Sequence, residues 1–140
     1  MRALEPTIEF YAELLGLRVV ERAGDRWAFL AAGDAEHHVL ALEAVGAGAT
    51  GPAERAVGLR HVGFTLPDRR ALAAAWRTLA RLRRPASAAD HRVSWAIYCA
   101  DPDGNGVELF VDTRAEVGGS EARWRGASAP LSEAEILAYE

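Results

Sequence analysis

From Pro6 to Leu15 the apolar positions Ile8, Tyr11, Leu14 and Leu15 recur at helical spacing, with Pro6 suited to a first turn and Gly16 to a C-terminal cap. This predicts a short amphipathic helix. Beyond it, the stretches 17–22, 27–31 and 37–44 read as three β-strands, separated by turn residues at Ala23-Gly24-Asp25 and Gly33-Asp34. The glycine- and alanine-rich residues 46–58 read as a linker. The pattern then restarts. A strand over 59–66 leads to Asp68, a fitting N-cap for a helix to about Arg83 on which Leu72, Ala75, Trp76 and Leu79 share one face. Strands over 93–100 and 107–112 flank the turn Asp101-Pro102-Asp103-Gly104-Asn105, with room for one more short strand near 86–88.

The second half thus reads β-α-β-β-β and the first α-β-β-β, two copies of one unit with the opening strand missing from the first copy. The expected class is α+β. Residues 1–114 form one domain (module one 1–45, linker 46–58, module two 59–114), and 115–140 form a polar tail in which Ser132 and Glu135 make a capping box for a last helix.

Alternation sorts the candidate chemistry. In the strand at 59–66, Val62, Phe64 and Leu66 share one face, and His61, Gly63 and Thr65 the other. The same test puts Glu108 opposite Val107 and Leu109, and Tyr98 opposite Ile97 and Cys99. A histidine, a carboxylate and a phenol therefore fall on the less apolar faces of three strands. Each alone has a plain structural explanation: a hydrogen-bonded strand histidine, an exposed edge charge, a core phenol satisfied at the rim. His37 and His38 would point to opposite faces of their strand, and periodicity does not choose between them. The 101–105 turn and Cys99 are sufficiently explained as hairpin and core.

Composition narrows the chemistry. All 16 basic residues are arginine, which excludes a Schiff-base lysine and a lysine-bearing P-loop, and one cysteine excludes disulfide frameworks and thiolate zinc clusters. A net charge of −4 with interleaved signs argues against nucleic acid as a partner. No apolar run approaches the roughly 18 residues of a membrane span and no secretory signal is readable, so the expected location is cytoplasmic.

The ordered set Phe10-Tyr11, Leu15-Gly16-Leu17, His37-His38-Val39-Leu40, Arg60-His61-Val62-Gly63-Phe64, His91, Tyr98, Asp101-Pro102-Asp103-Gly104-Asn105 and Val107-Glu108-Leu109 resembles the vicinal oxygen chelate superfamily. Within that superfamily it is most similar to the type I extradiol ring-cleavage dioxygenases. The resemblance implies an open, curled barrel of two modules and a metal-dependent opening of a catechol-type ring by O₂. It further implies His61 and Glu108 as ligands of Fe(II) or Mn(II), His38 as the acid–base group, Tyr98 as a contact of the substrate oxygen, and His91 as a substrate-binding histidine. The alternative is a glyoxalase or bleomycin-resistance type of protein, or a catalytically silent relative.

One departure stands out: the family takes its first metal histidine from the opening strand, and here no histidine precedes His37. The expectation is an upstream strand bearing that ligand. The competing explanations are His37 or His38 turned into the vacancy, or a relative that only binds a ligand. An uncovered sheet edge in its place predicts pairing with a second copy, a homodimer.

Overall fold

The first helix, α1, spans Leu4–Leu15 in the computed structural model, which describes residues 1–53, 55 and 57–139. It starts two residues before Pro6 and buries Leu4, Thr7, Phe10, Tyr11 and Leu14, so its inner face is turned from the expected one and Ile8 is only half-buried. Gly16 ends it in a left-handed conformation (φ 67°), its N–H reaching the Ala12 carbonyl at 2.9 Å. The chain divides into two compact units, residues 1–58 with 101–105, and residues 59–100 with 106–140. Residues 54 and 56 of the expected linker lie outside the described residues.

In the first unit α1 packs on an antiparallel sheet of β1 (Arg18–Ala23), β2 (Trp27–Ala31) and β3 (Leu40–Glu43), in that order. Ala28 and Leu30 are fully buried, while Trp27 and Phe29 alternate onto the other face, half-exposed and stacked at 6.3 Å. The register slips by one residue between Val19 and Glu21, leaving Val20 as a bulge and setting Glu21 opposite Phe29. The expected strand at 37–44 is shorter: it begins at Leu40, and His37 and His38 precede it in a bend. They do not point to opposite faces of a strand. Both rings lie against Phe29, at 5.9 and 5.1 Å.

The 101–105 turn contributes more than a hairpin. Asp101 is buried and accepts bonds from the Asp103 and Asn105 backbone N–H groups and from the Tyr11 hydroxyl. Asp103 accepts from the backbone and guanidinium of Arg2 at 3.1 and 2.9 Å.

The second unit is a five-stranded sheet in the order β4-β7-β6-β5-β8, built from β4 (Val62–Thr65), β5 (Ser87–Asp90), β6 (Ser94–Ala100), β7 (Gly106–Asp112) and β8 (Ala129–Pro130). β4 runs parallel to β7, and β6 lies antiparallel on its other side. Helix α2 (Arg69–Arg81) covers one face, capped by Asp68, whose carboxylate accepts from the Ala71 N–H at 2.8 Å. Beneath it Ile97, Val107 and Leu109 are fully buried beside Leu72 and Leu79. The apolar face expected from alternation is the one the helix covers.

The tail is part of this unit. After the short helix α3 (Arg114–Val117), β8 pairs with β5, and α4 (Glu133–Leu137) carries the expected capping box between Ser132 and Glu135. Leu131 and Ile136 close a cluster with Ala73, Trp76, Ala88 and Trp95. Arg69 grips Glu116 through two bonds of 2.7 and 2.8 Å, its guanidinium 4.5 Å over Trp95. Among the described residues no helix is long and apolar enough to cross a membrane. Because Ile136 is buried to 1% exposure, Ile136→Ala should lower the unfolding free energy by about 2–5 kcal/mol. Urea titration checks this, and a loss below about 0.5 kcal/mol would show the tail to be dispensable to the core.

Candidate active site

The face of the second sheet away from α2 holds the polar groups. Tyr98 on β6 stands directly opposite Glu108 on β7, and Glu108 is paired with Gly63 on β4. Paired positions share a face, so one register brings the phenol and the carboxylate together and sets His61, two residues before Gly63, on the same side. Two glycines allow the close approach. A Cβ at Gly106 would lie 2.3 Å from the Arg60 carbonyl oxygen and 3.2 Å from the His61 Cβ; one at Gly63 would press on the Glu108 carboxylate and the Phe110 ring, each at 3.4 Å. Neither glycine was marked by sequence pattern, because what each avoids is a neighbouring strand.

The side chains form one hydrogen-bonded run. His61 Nε2 stands 3.1 Å from Glu108 Oε2, the Tyr98 hydroxyl donates to Glu108 Oε1 at 2.7 Å, and His91 Nε2 lies 2.8 Å from the same hydroxyl. Ser128 Oγ closes the run, 2.6 Å from His91 Nδ1. Since the phenol O–H donates to Glu108, its oxygen accepts from His91 Nε2–H, and in the neutral imidazole Nδ1 is left to accept from Ser128. His91 sits in the β5–β6 turn next to Arg92, a left-handed residue (φ 70°), and Trp124 meets its ring edge-on at 6.2 Å. Ser128 and Trp124 come from the tail, to which sequence pattern assigned no chemistry.

Burial is graded along the run. The His61 side chain is 36% exposed and that of Glu108 16%, so the carboxylate is the more enclosed of the two. Burial, and then the hydrogen bond and negative charge of Glu108, push the Tyr98 phenol well above its ordinary value near 10. The phenol is thus a donor throughout the physiological range.

The pair His61 and Glu108 can hold one divalent ion. Two donors about 2.1 Å from an ion and at right angles to each other stand about 3 Å apart, close to the 3.1 Å separation of Nε2 and Oε2. Among the described residues no third histidine, cysteine or carboxylate joins them. The donor set therefore fits two positions of a mixed imidazole–carboxylate site. His38 belongs to the first unit, within 2.7 Å of His37.

For the metal-free protein, the Tyr98 environment fixes a sign. The unfolded chain releases the phenol proton near the ordinary value and the folded chain holds it to higher pH, so the unfolding free energy falls as pH climbs past about 10. Denaturant titration across that range should show the fall in the wild type and a shallower one in Tyr98→Phe. Equal slopes would refute the enclosed phenol.

Comparison with known proteins agrees with this fold. The family model described as Glyoxalase/Bleomycin resistance protein/Dioxygenase superfamily matches residues 2–109. The chain is 39% identical over 115 residues to a protein of Bacillus subtilis named catechol-2,3-dioxygenase, covering 80% of this chain and 39% of that protein. It is 32% identical over 108 residues to biphenyl-2,3-diol 1,2-dioxygenase 3 of Rhodococcus globerulus, covering 76% of this chain and 56% of that protein. The chain thus spans well under two thirds of these relatives. A crystal structure of a glyoxalase/dioxygenase from Nostoc punctiforme superposes with a TM-score of 0.65 at 19% identity, over 80% of this chain and 85% of that one, a likeness of fold. With a family model matched over most of its length and three neighbouring strands aligning a histidine, a tyrosine and a glutamate on one face, the chain belongs to the glyoxalase/bleomycin resistance/dioxygenase superfamily.

Proposed function

We propose that this chain serves extradiol cleavage of a catechol-type compound by O₂, with Fe(II) or Mn(II) held by His61 and Glu108. The observation that supports the reading most is the shared carboxylate: Glu108 meets the imidazole through one oxygen and the Tyr98 phenol through the other. The names of the two dioxygenase relatives point the same way. A divalent iron at this pair would supply redox chemistry and open positions for a diol oxygen and O₂.

The remaining roles fall to the chain's own groups. His61 must release its Nε2 proton to act as a ligand, and Glu108 would bind through the oxygen that now faces it. Tyr98 keeps its proton, and its hydroxyl can donate a hydrogen bond to a substrate oxygen. His91 supports the phenol by donating to its oxygen, and Ser128 holds His91 in the tautomer that allows this. His38 is assigned to take a diol proton and later return it. The same reading takes residues 1–114 as the superfamily domain, completed by the tail that supplies Ser128, and acting as a cytoplasmic homodimer.

Anaerobic loading with Fe(II), then catechol and O₂, tests the proposal. Oxygen uptake equimolar with catechol and a yellow ring-fission product are expected, and both Tyr98→Phe and His91→Ala should lower kcat by about 10²- to 10⁴-fold. An aromatic ligand that binds without oxygen consumption would overturn the enzyme reading in favour of a resistance-type binding protein, and conversion of a thiol hemiacetal without O₂ in favour of an isomerase.

A further inference from the structure

The open face of the first sheet bears a second hydrogen-bonded run, distinct from the one around Glu108. Glu21 Oε2 lies 2.8 Å from His37 Nε2, and His37 Nδ1 lies 2.7 Å from His38 Nδ1. The two contacts use opposite nitrogens of His37, so the three groups cannot converge on one ion; they form a line. Its geometry depends on the bulge at Val20. In an unbroken register Glu21 would oppose Ala28 and face the helix-covered side, whereas the slip sets it opposite Phe29, the ring on which both histidines pack. The two imidazoles meet nearly at right angles (84°), His38 edge-on to Phe29 and His37 tilted against it, which orders them beyond what solvent-exposed hydrogen bonds achieve alone.

Proton positions along the line follow from counting. A carboxylate only accepts, so His37 Nε2 must carry a proton. In the neutral pair His37 Nδ1 is then a lone pair, and the short contact between the two Nδ1 atoms requires the proton to be on His38. His38 is left with an open Nε2, the reverse of the tautomer that a free imidazole favours in water.

We propose that Glu21 and His37 are positioning residues that hold His38 as the Nδ1–H tautomer with Nε2 free to accept a proton. This rests on the reading of His38 as the acid–base group. When Nε2 takes a proton from a diol hydroxyl, the Nδ1 proton can pass to His37 Nδ1. His38 is then neutral, and the positive charge sits on the imidazole beside the Glu21 carboxylate. Return of the proton to a product oxygen reverses both transfers. No electrons move, and each proton gained at one nitrogen is lost at the other.

Nitrogen-15 NMR of the imidazole rings, on the full metal-free chain at neutral pH with His38→Gln for assignment, decides the proposal independently of turnover. The wild type should show His38 protonated at Nδ1 and unprotonated at Nε2, and His37→Phe should return His38 to the Nε2–H form. An Nε2–H tautomer in the wild type, or a His38 unaffected by His37→Phe, would overturn it. The wild-type spectrum suffices even if the variant fails to fold. In the oxygen-uptake assay Glu21→Gln, which keeps an acceptor but removes the charge, should lower kcat at least about ten-fold with KM unchanged. An unchanged kcat in an active enzyme also overturns the proposal. Absence of any oxygen uptake removes the dioxygenase reading and leaves the tautomer result standing or falling by the NMR spectrum.

Discussion

The Glu108 carboxylate is the group on which the rest of the site depends. It sits where β4, β6 and β7 share one register, and its two oxygens serve two different strands: one faces His61, the other accepts the hydrogen bond of the Tyr98 hydroxyl. A one-residue slip in either pairing would send Glu108 to the face of Val107 and Leu109, both fully buried under α2. The hydrophobic packing of that opposite face therefore fixes the position of the polar one. Core and site are two sides of a single alternation.

This explains why so much was legible in the sequence. Period-two alternation in three strands placed His61, Tyr98 and Glu108 on one side, and the structure brings them within hydrogen-bonding reach. Asp68 and Ser132 announced their helices because caps act locally, through bonds to residues three positions on. What could not be read depends on partners distant in the chain. The need for glycine at 106 comes from the Arg60 carbonyl. The place of Ser128 beside His91 follows from β8 joining the sheet, and two residues of strand give no periodic pattern.

The histidine pair shows a different limit. Alternating residues over 37–44 predict a strand, yet the chain bends before Leu40 and both imidazoles settle on Phe29. A bulge elsewhere, at Val20, supplies Glu21 to the same side. Bulges shift register by one residue without leaving a clear mark in composition, so alternation drawn straight through one assigns the wrong face. Helix α1 departs from its apolar spacing for a related reason: its start at Leu4 recruits Thr7, a polar residue whose hydroxyl lies 3.4 Å from Asp103, onto the inner face.

Two protein ligands make a weak claim on a metal, and the family resemblance adds a third that the described residues do not bring to this pair. Whether His61 itself grips an ion is thus the point on which the chemistry turns. Pulsed electron paramagnetic resonance of Mn(II) added to the metal-free chain reads it without any turnover. Nitrogen modulation from a bound imidazole, present in the wild type and lost in His61→Ala, is the predicted result. A bound ion with no nitrogen coupling, or a coupling that survives the substitution, would contradict it.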